Sequence, residues 1–98
     1  MRLDEGLLEP PPQLTDRQLE VLGFIWGFFR TSESYPTHRE IATGIGSSST
    51  NVAPWLNALV KKGVLSKKEN ISVRNIRLTA QGLQVLKRSG IIPADVEF

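Results

Sequence analysis

Between Thr15 and about Arg30 the chain is apolar at Val21, Leu22, Phe24, Ile25, Trp26, Phe28 and Phe29, a spacing that predicts a helix. Thr15-Asp16-Arg17-Gln18 opens it as a capping box, in which the Thr hydroxyl accepts from a free backbone amide and Gln18 reaches back to the cap. After the polar turn Ser32-Glu33-Ser34 comes a second box, Thr37-His38-Arg39-Glu40, which follows Pro36 and opens a short helix carrying Ile41, Ala42 and Ile45. Gly44 or Gly46 stops it. A third helix is predicted from about Thr50 to Lys62, with Val52, Leu56, Leu59 and Val60 facing inward and Gly63 at its end. The period then changes. Val64–Lys68 and Ile71–Leu78 predict two strands around a tight turn at Glu69-Asn70. Thr79 caps a last helix, Ala80 to Ser89, which buries Leu83, Leu86 and Val85 before Gly90 ends it.

Helix, helix, turn, helix, hairpin, helix is the layout of a winged helix-turn-helix. The expected fold is therefore mainly α with a small β-hairpin: a three-helix core, a wing and an added C-terminal helix. Residues 1–13 end in Pro10-Pro11-Pro12 and read as a Pro-rich arm, either a spacer or a recognition motif for another domain. Residues 14–90 read as the domain and 91–98 as a short apolar-acidic tail. At 98 residues, 40% hydrophobic and 22% charged, the composition suits one globular unit.

Composition narrows the chemistry. With no cysteine and a single histidine, His38, thiolate zinc sites, thiol nucleophiles and multi-histidine metal sites are excluded. No catalytic residues, metal or cofactor are expected, and no small-molecule substrate is evident. Phe24-Ile25-Trp26 is far too short to span a membrane and the N-terminus lacks a signal-peptide core, so a cytoplasmic protein is expected. The net charge of +2 is unevenly spread: residues 1–40 carry −3, residues 41–90 carry +7 and the last eight carry −2. A one-sided positive field of this kind suits a polyanion.

In a helix-turn-helix the second helix of the pair enters the major groove and the first crosses the backbone. The front of the third helix offers Ser48, Ser49, Thr50, Asn51, Ala53 and Asn57 to base edges. Asn can pair bidentately with adenine, hydroxyls bond several bases, and an Ala methyl can meet thymine. No Arg or Lys stands there to grip guanine. Phosphate attraction falls to Lys61 and Lys62, to Lys67, Lys68, Asn70 and Arg74 in the hairpin, and to Thr37, His38 and Arg39 at the second helix. His38 reads equally as a solvated residue. Gly44-Ile45-Gly46-Ser47 lacks the lysine and the preceding strand of a phosphate loop and reads as the turn of the helix pair.

Leu14-Thr15-Asp16-Arg17-Gln18-Leu19-Glu20-Val21-Leu22-Gly23-Phe24-Ile25, followed by Tyr35-Pro36-Thr37-His38-Arg39-Glu40-Ile41-Ala42, closely resembles the opening of the LexA repressor DNA-binding domain. Arg74-Asn75-Ile76-Arg77-Leu78 resembles that family's wing, so the likeness covers about residues 14–78. The stretch from Ser49 through Gly63 and Leu65, with Leu78-Thr79-Ala80-Gln81-Gly82, is similar to MarR-type winged helices in a more generic way. The resemblance implies a sequence-specific regulator of transcription, a repressor that occupies an operator as a homodimer on double-stranded DNA; a bacterial, phage or mobile-element origin is expected from the small size of the chain. LexA-like repressors also carry a self-cleaving serine-lysine peptidase domain that dimerises. This chain ends before one, so no self-cleavage is expected and the route to a dimer is left open.

Two features depart from the family. Pro54 lies in the third helix; with Thr50 as cap it would be the fourth helical residue and remove the first ladder bond, whereas deeper in it would kink the helix. The first helix is apolar over more than half its circumference, beyond the stripe one buried face needs. Either the fourth helix and the arm cover the excess, or Phe24, Trp26, Phe28, Leu83, Leu86 and Ile91 form a self-association or partner surface. Gly23 and Gly27 would allow close approach there. Trp55 reads as a half-buried packing residue or as a groove or partner contact. These residues also support an alternative function, a winged-helix adaptor binding a protein such as a regulator or polymerase component.

Overall fold

The computed structural model describes residues 13–96. The arm expected over 1–13 therefore lies, Gln13 apart, outside the described residues. Helix α1 spans Asp16–Ser32, α2 His38–Ile45, α3 Val52–Lys61 and α4 Ala80–Arg88, with a two-stranded antiparallel sheet of β1 Leu65–Lys67 and β2 Ile76–Leu78 between α3 and α4. The winged helix-turn-helix layout is the observed one.

Both capping boxes form. Thr15 Oγ1 accepts from the Gln18 amide at 3.1 Å and Gln18 Oε1 accepts from the Thr15 amide at 3.0 Å. Thr37 and Glu40 repeat the exchange at 3.1 and 2.8 Å. Gly46, at φ 71, closes α2 in the left-handed conformation that glycine adopts without a Cβ penalty. Thr79 joins two elements: its hydroxyl donates to the Gly63 carbonyl at 2.7 Å and accepts from the Gly82 amide at 3.0 Å. At Gly82 a Cβ would run into the Val64 carbonyl oxygen, so the start of α4 can lie directly on the chain entering the wing.

The core is continuous. Val21, Leu22 and Ile25 of α1, Ile41 of α2, Val52, Leu56 and Leu59 of α3, Val64, Leu65, Ile76 and Leu78 at the wing base and Leu86 of α4 are all buried in it. Helix α1 is central, packing against α2, α3, α4 and β2. That explains its excess of apolar positions. Phe24 lies against Gly44, where its ring fills the place a Cβ would take, and Phe29 stacks on Tyr35 at 4.5 Å between ring centroids. Of the six residues expected to form a self-association surface, Trp26, Leu83 and Leu86 are buried within the protomer. Helix α4 packs against α1, with Ile92 buried and Ile91 passing beside Gly23. Among the described residues, nothing outside its own helix lies within 4 Å of the place a Cβ would take at Gly27. Phe24 and Phe28 remain half-buried, and Ile91 is 45% exposed.

Two boundaries differ from expectation. The third helix begins with a 3-10 turn, Ser49–Asn51, capped by Ser48, and α-helical winding starts at Val52. Pro54 is thus the third residue of α3, inside the first turn, where backbone N–H groups have no partner within the helix. Having no N–H, Pro54 cannot donate to Thr50, and the chain ahead of it winds more tightly. The hairpin is also shorter than expected. Leu65 pairs with Leu78, Ser66 with Arg77 and Lys67 with Ile76, and residues 68–75 form a loop instead of a tight two-residue turn. Arg74 at φ 53 breaks the extended chain, and Ile71 and Val73 are left 40% and 58% exposed.

Candidate nucleic-acid interface

Helix α3 buries Val52, Leu56 and Leu59, and these set the orientation of the rest. The opposite stripe, four residues apart along the axis, is Ala53, Asn57 and Lys61, of which Asn57 and Lys61 are exposed and Ala53 half-buried. Ser48, Ser49, Thr50 and Asn51, all exposed, stand at the amino end of this stripe. Three of them are held locally: Ser48 Oγ lies 2.7 Å from Thr50 Oγ1 and accepts from the Thr50 amide at 3.2 Å, and Asn51 Nδ2 donates to Ser47 Oγ at 3.2 Å. The front of α3 is therefore a polar, uncharged surface with a lysine behind it.

A cleft of about 310 Å³ separates the amino end of α2 from the wing; Pro36, Thr37 and His38 line one side and Lys67 and residues 72–75 the other. The structure brings Thr37, His38, Lys67 and Arg74 together there. Thr37 is committed to its capping box, whereas His38 and Arg39 are exposed. Lys68 and Asn70 are exposed on the wing loop and do not line the cleft.

Three cations and one tryptophan have partners that sequence reasoning did not find. Arg74 Nη1 donates to Glu40 Oε1 at 2.7 Å, its Nη2 to Oε2 at 3.1 Å, and Nη1 also reaches the Tyr35 carbonyl at 3.0 Å. The Arg74 hydrogen bonds, then that from the Thr37 amide, hold the Glu40 carboxyl below the usual carboxylate range. Lys62 Nζ donates to the Gln13 carbonyl and Gln18 Oε1 at 2.7 and 3.0 Å, tying the end of α3 to the start of α1. Trp55 packs against the core with the Arg17 guanidinium 5.1 Å over its ring. The capping-box pattern had marked Glu40 and Gln18, but each has a second partner far away in sequence that no local pattern shows.

Among the described residues, no helix is long and apolar enough to cross a membrane, and no group of three His, Cys, Asp or Glu side chains could hold a metal ion.

Comparison with known proteins adds to this geometry. A structure of an MepR mutant from a multidrug-resistant S. aureus clinical isolate superposes with a TM-score of 0.64 over 93% of this chain and 68% of that one, at 20% identity, which shows a shared fold. The LexA repressor of Polaromonas naphthalenivorans is 40% identical over 87 residues, covering 88% of this chain and 37% of its own length. That of Limosilactobacillus fermentum is 39% identical over 89 residues, 90% of this chain and 41% of its own. That of Citrifermentans bemidjiense reaches 47% over 70 residues. The chain thus spans well under half the length of these relatives. The model of the LexA DNA binding domain matches residues 12–75, from the lead into α1 to the wing loop. With the fold, the capped helix pair and this match in agreement, the chain belongs to the LexA DNA-binding domain family.

Proposed function

We propose that this protein is a sequence-specific double-stranded DNA-binding repressor of transcription, acting as a homodimer that occupies two half-sites about one helical turn apart. The observation that carries the reading is the front of α3: a rigidly based row of hydroxyls and amides, Ser48 to Asn51 and Asn57, exposed opposite the buried stripe. Side chains of this kind read base edges in the major groove. Lys61 behind them, Lys67 and Lys68 on the wing, and His38 and Arg39 at α2 supply the attraction to phosphate that positions the reader. Family membership supports the same reading. The half-buried Phe24 and Phe28, with exposed Ile91, are the apolar surface offered for the dimer.

Fluorescence anisotropy with a labelled LexA-type palindrome and its scramble, at about 50 and 200 mM salt, tests the proposal. Binding that prefers the palindrome and weakens steeply with salt is expected. No binding to either duplex at low salt would overturn it in favour of the adaptor reading, which the burial of Trp26 and the cover of Arg17 over Trp55 leave with less exposed apolar surface.

A further inference from the structure

We infer that the Arg74–Glu40 pair is a clasp that fixes the wing against α2, so that Arg74 and Glu40 are positioning residues for DNA recognition and Arg74 is not a phosphate contact. The inference rests on the DNA-binding reading and adds to it the way the two reading elements are held in register.

Four observations carry it. The β-ladder is only three residues a side, and a two-stranded hairpin of that size does not hold its own direction. Among the described residues, the hydrogen bonds from loop 69–75 to the helical body all come from Arg74, two to the Glu40 carboxylate and one to the Tyr35 carbonyl. Arg74 holds φ 53, a left-handed conformation unfavourable for a side chain of this kind, and such a conformation persists where its surroundings fix it. Its surroundings do so from both sides: Arg77 Nη1 donates to the Arg74 carbonyl at 2.7 Å while the Arg77 guanidinium lies 5.0 Å over the Tyr35 ring. Finally, the clasp borders the cleft between wing and α2, the space across which a released wing would move. A phosphate arriving at Arg74 would meet a charge already neutralised by a bidentate carboxylate.

The test uses substitutions for which electrostatics and positioning predict opposite signs. Glu40→Gln removes a negative charge beside the DNA-facing surface and keeps the capping box, since a glutamine does the same work at Gln18 in α1. If Arg74 were a phosphate contact, Glu40→Gln would tighten binding and Arg74→Lys, which keeps the charge, would be near neutral. A clasp requires both to weaken binding, by about five- to tenfold, because each breaks the two-pronged geometry. The double variant should be no weaker than either single one, and none should change the salt slope, whereas Lys67→Ala should lower it. The probe is a labelled duplex enriched from a random-sequence pool by the wild-type protein, measured beside its scramble. Without DNA, amide hydrogen exchange across residues 68–76 should speed up in Glu40→Gln while that of α1 is unchanged. Tighter binding by Glu40→Gln, wild-type affinity in Arg74→Lys, or unaltered wing exchange would overturn the clasp. If the pool yields no preferred duplex, the DNA reading falls, and faster or unchanged wing exchange alone then supports or overturns the clasp.

Discussion

At the scale of single residues, side chains with the same charge or polarity do different work according to what they touch. Lys61 and Lys62 are neighbours, yet Lys61 is exposed while Lys62 ties α3 to α1 through Gln13 and Gln18. Asn51 is exposed at the front of α3, and its side-chain amide donates to Ser47 Oγ through an exposed hydrogen bond that it can exchange for one to a base. On the proposed function, Asn51→Ala should relax preference at one base position by about 1–3 kcal/mol and leave binding to random DNA nearly unchanged. Anisotropy on single-position variants of the preferred duplex measures this. Equal losses on preferred and random sequences would remove α3 as the reader.

Among the elements, α3 and the wing are where local winding decides what is presented. Because the 3-10 turn Ser49–Asn51 places Pro54 in the first turn of α3, its missing N–H interrupts no bond within that helix. Pro54→Ala should therefore change stability by less than about 1 kcal/mol in urea unfolding, since its main effect is on unfolded-chain entropy. A gain of about 3 kcal/mol would instead mean that the proline sits as in a helix interior, where it interrupts the ladder. In the wing, Lys67 and Lys68 are exposed and, among the described residues, have no carboxylate partner, unlike Arg74. Replacing both with Ala should weaken all sequences alike and reduce the slope of log affinity against log salt by about 2, read from a salt titration on preferred and scrambled duplexes. A sequence-dependent loss would move these lysines from phosphate to bases.

For the molecule as a whole, α1 passes through the middle and the clasp joins wing to helix pair, so pH acts on arrangement more than on the core. Glu40 is the group that matters: its carboxyl is held low, chiefly by the Arg74 hydrogen bonds and next by the Thr37 amide. A carboxyl whose folded value lies below its unfolded one stabilises fully above the unfolded value, and that stabilisation is lost as pH falls through the folded value. The clasp should thus be intact through neutral and mildly acidic conditions and loosen only below about pH 4. Thermal melts of wild type and Glu40→Gln should differ at neutral pH and converge below that range. A difference that persisted unchanged at the lowest pH would separate the effect of the substitution from the carboxylate charge.

What the sequence determined by itself was everything governed by neighbours within a turn or two. Thr15 with Gln18 and Thr37 with Glu40 start their helices through bonds three residues long, and Gly46 ends one by conformational freedom. The inward stripe of α3 follows from helical spacing, and with it the outward position of Asn57 and Lys61. The family-like stretches around these signals were legible for the same reason. Tertiary structure alone decided which apolar residues of α1 were core, because α1 packs against α2, α3, α4 and β2 and Trp26 is buried in the folded protomer while Phe28 is only half-buried. It also decided the length of the wing: the alternating pattern from Ile71 onward suits a strand, but Arg74 is drawn 34 residues back to Glu40 and leaves the extended conformation to reach it. Charge marks a residue as cationic without naming its partner, since a pair is made by whichever opposite charge the packed helices bring within about 3 Å.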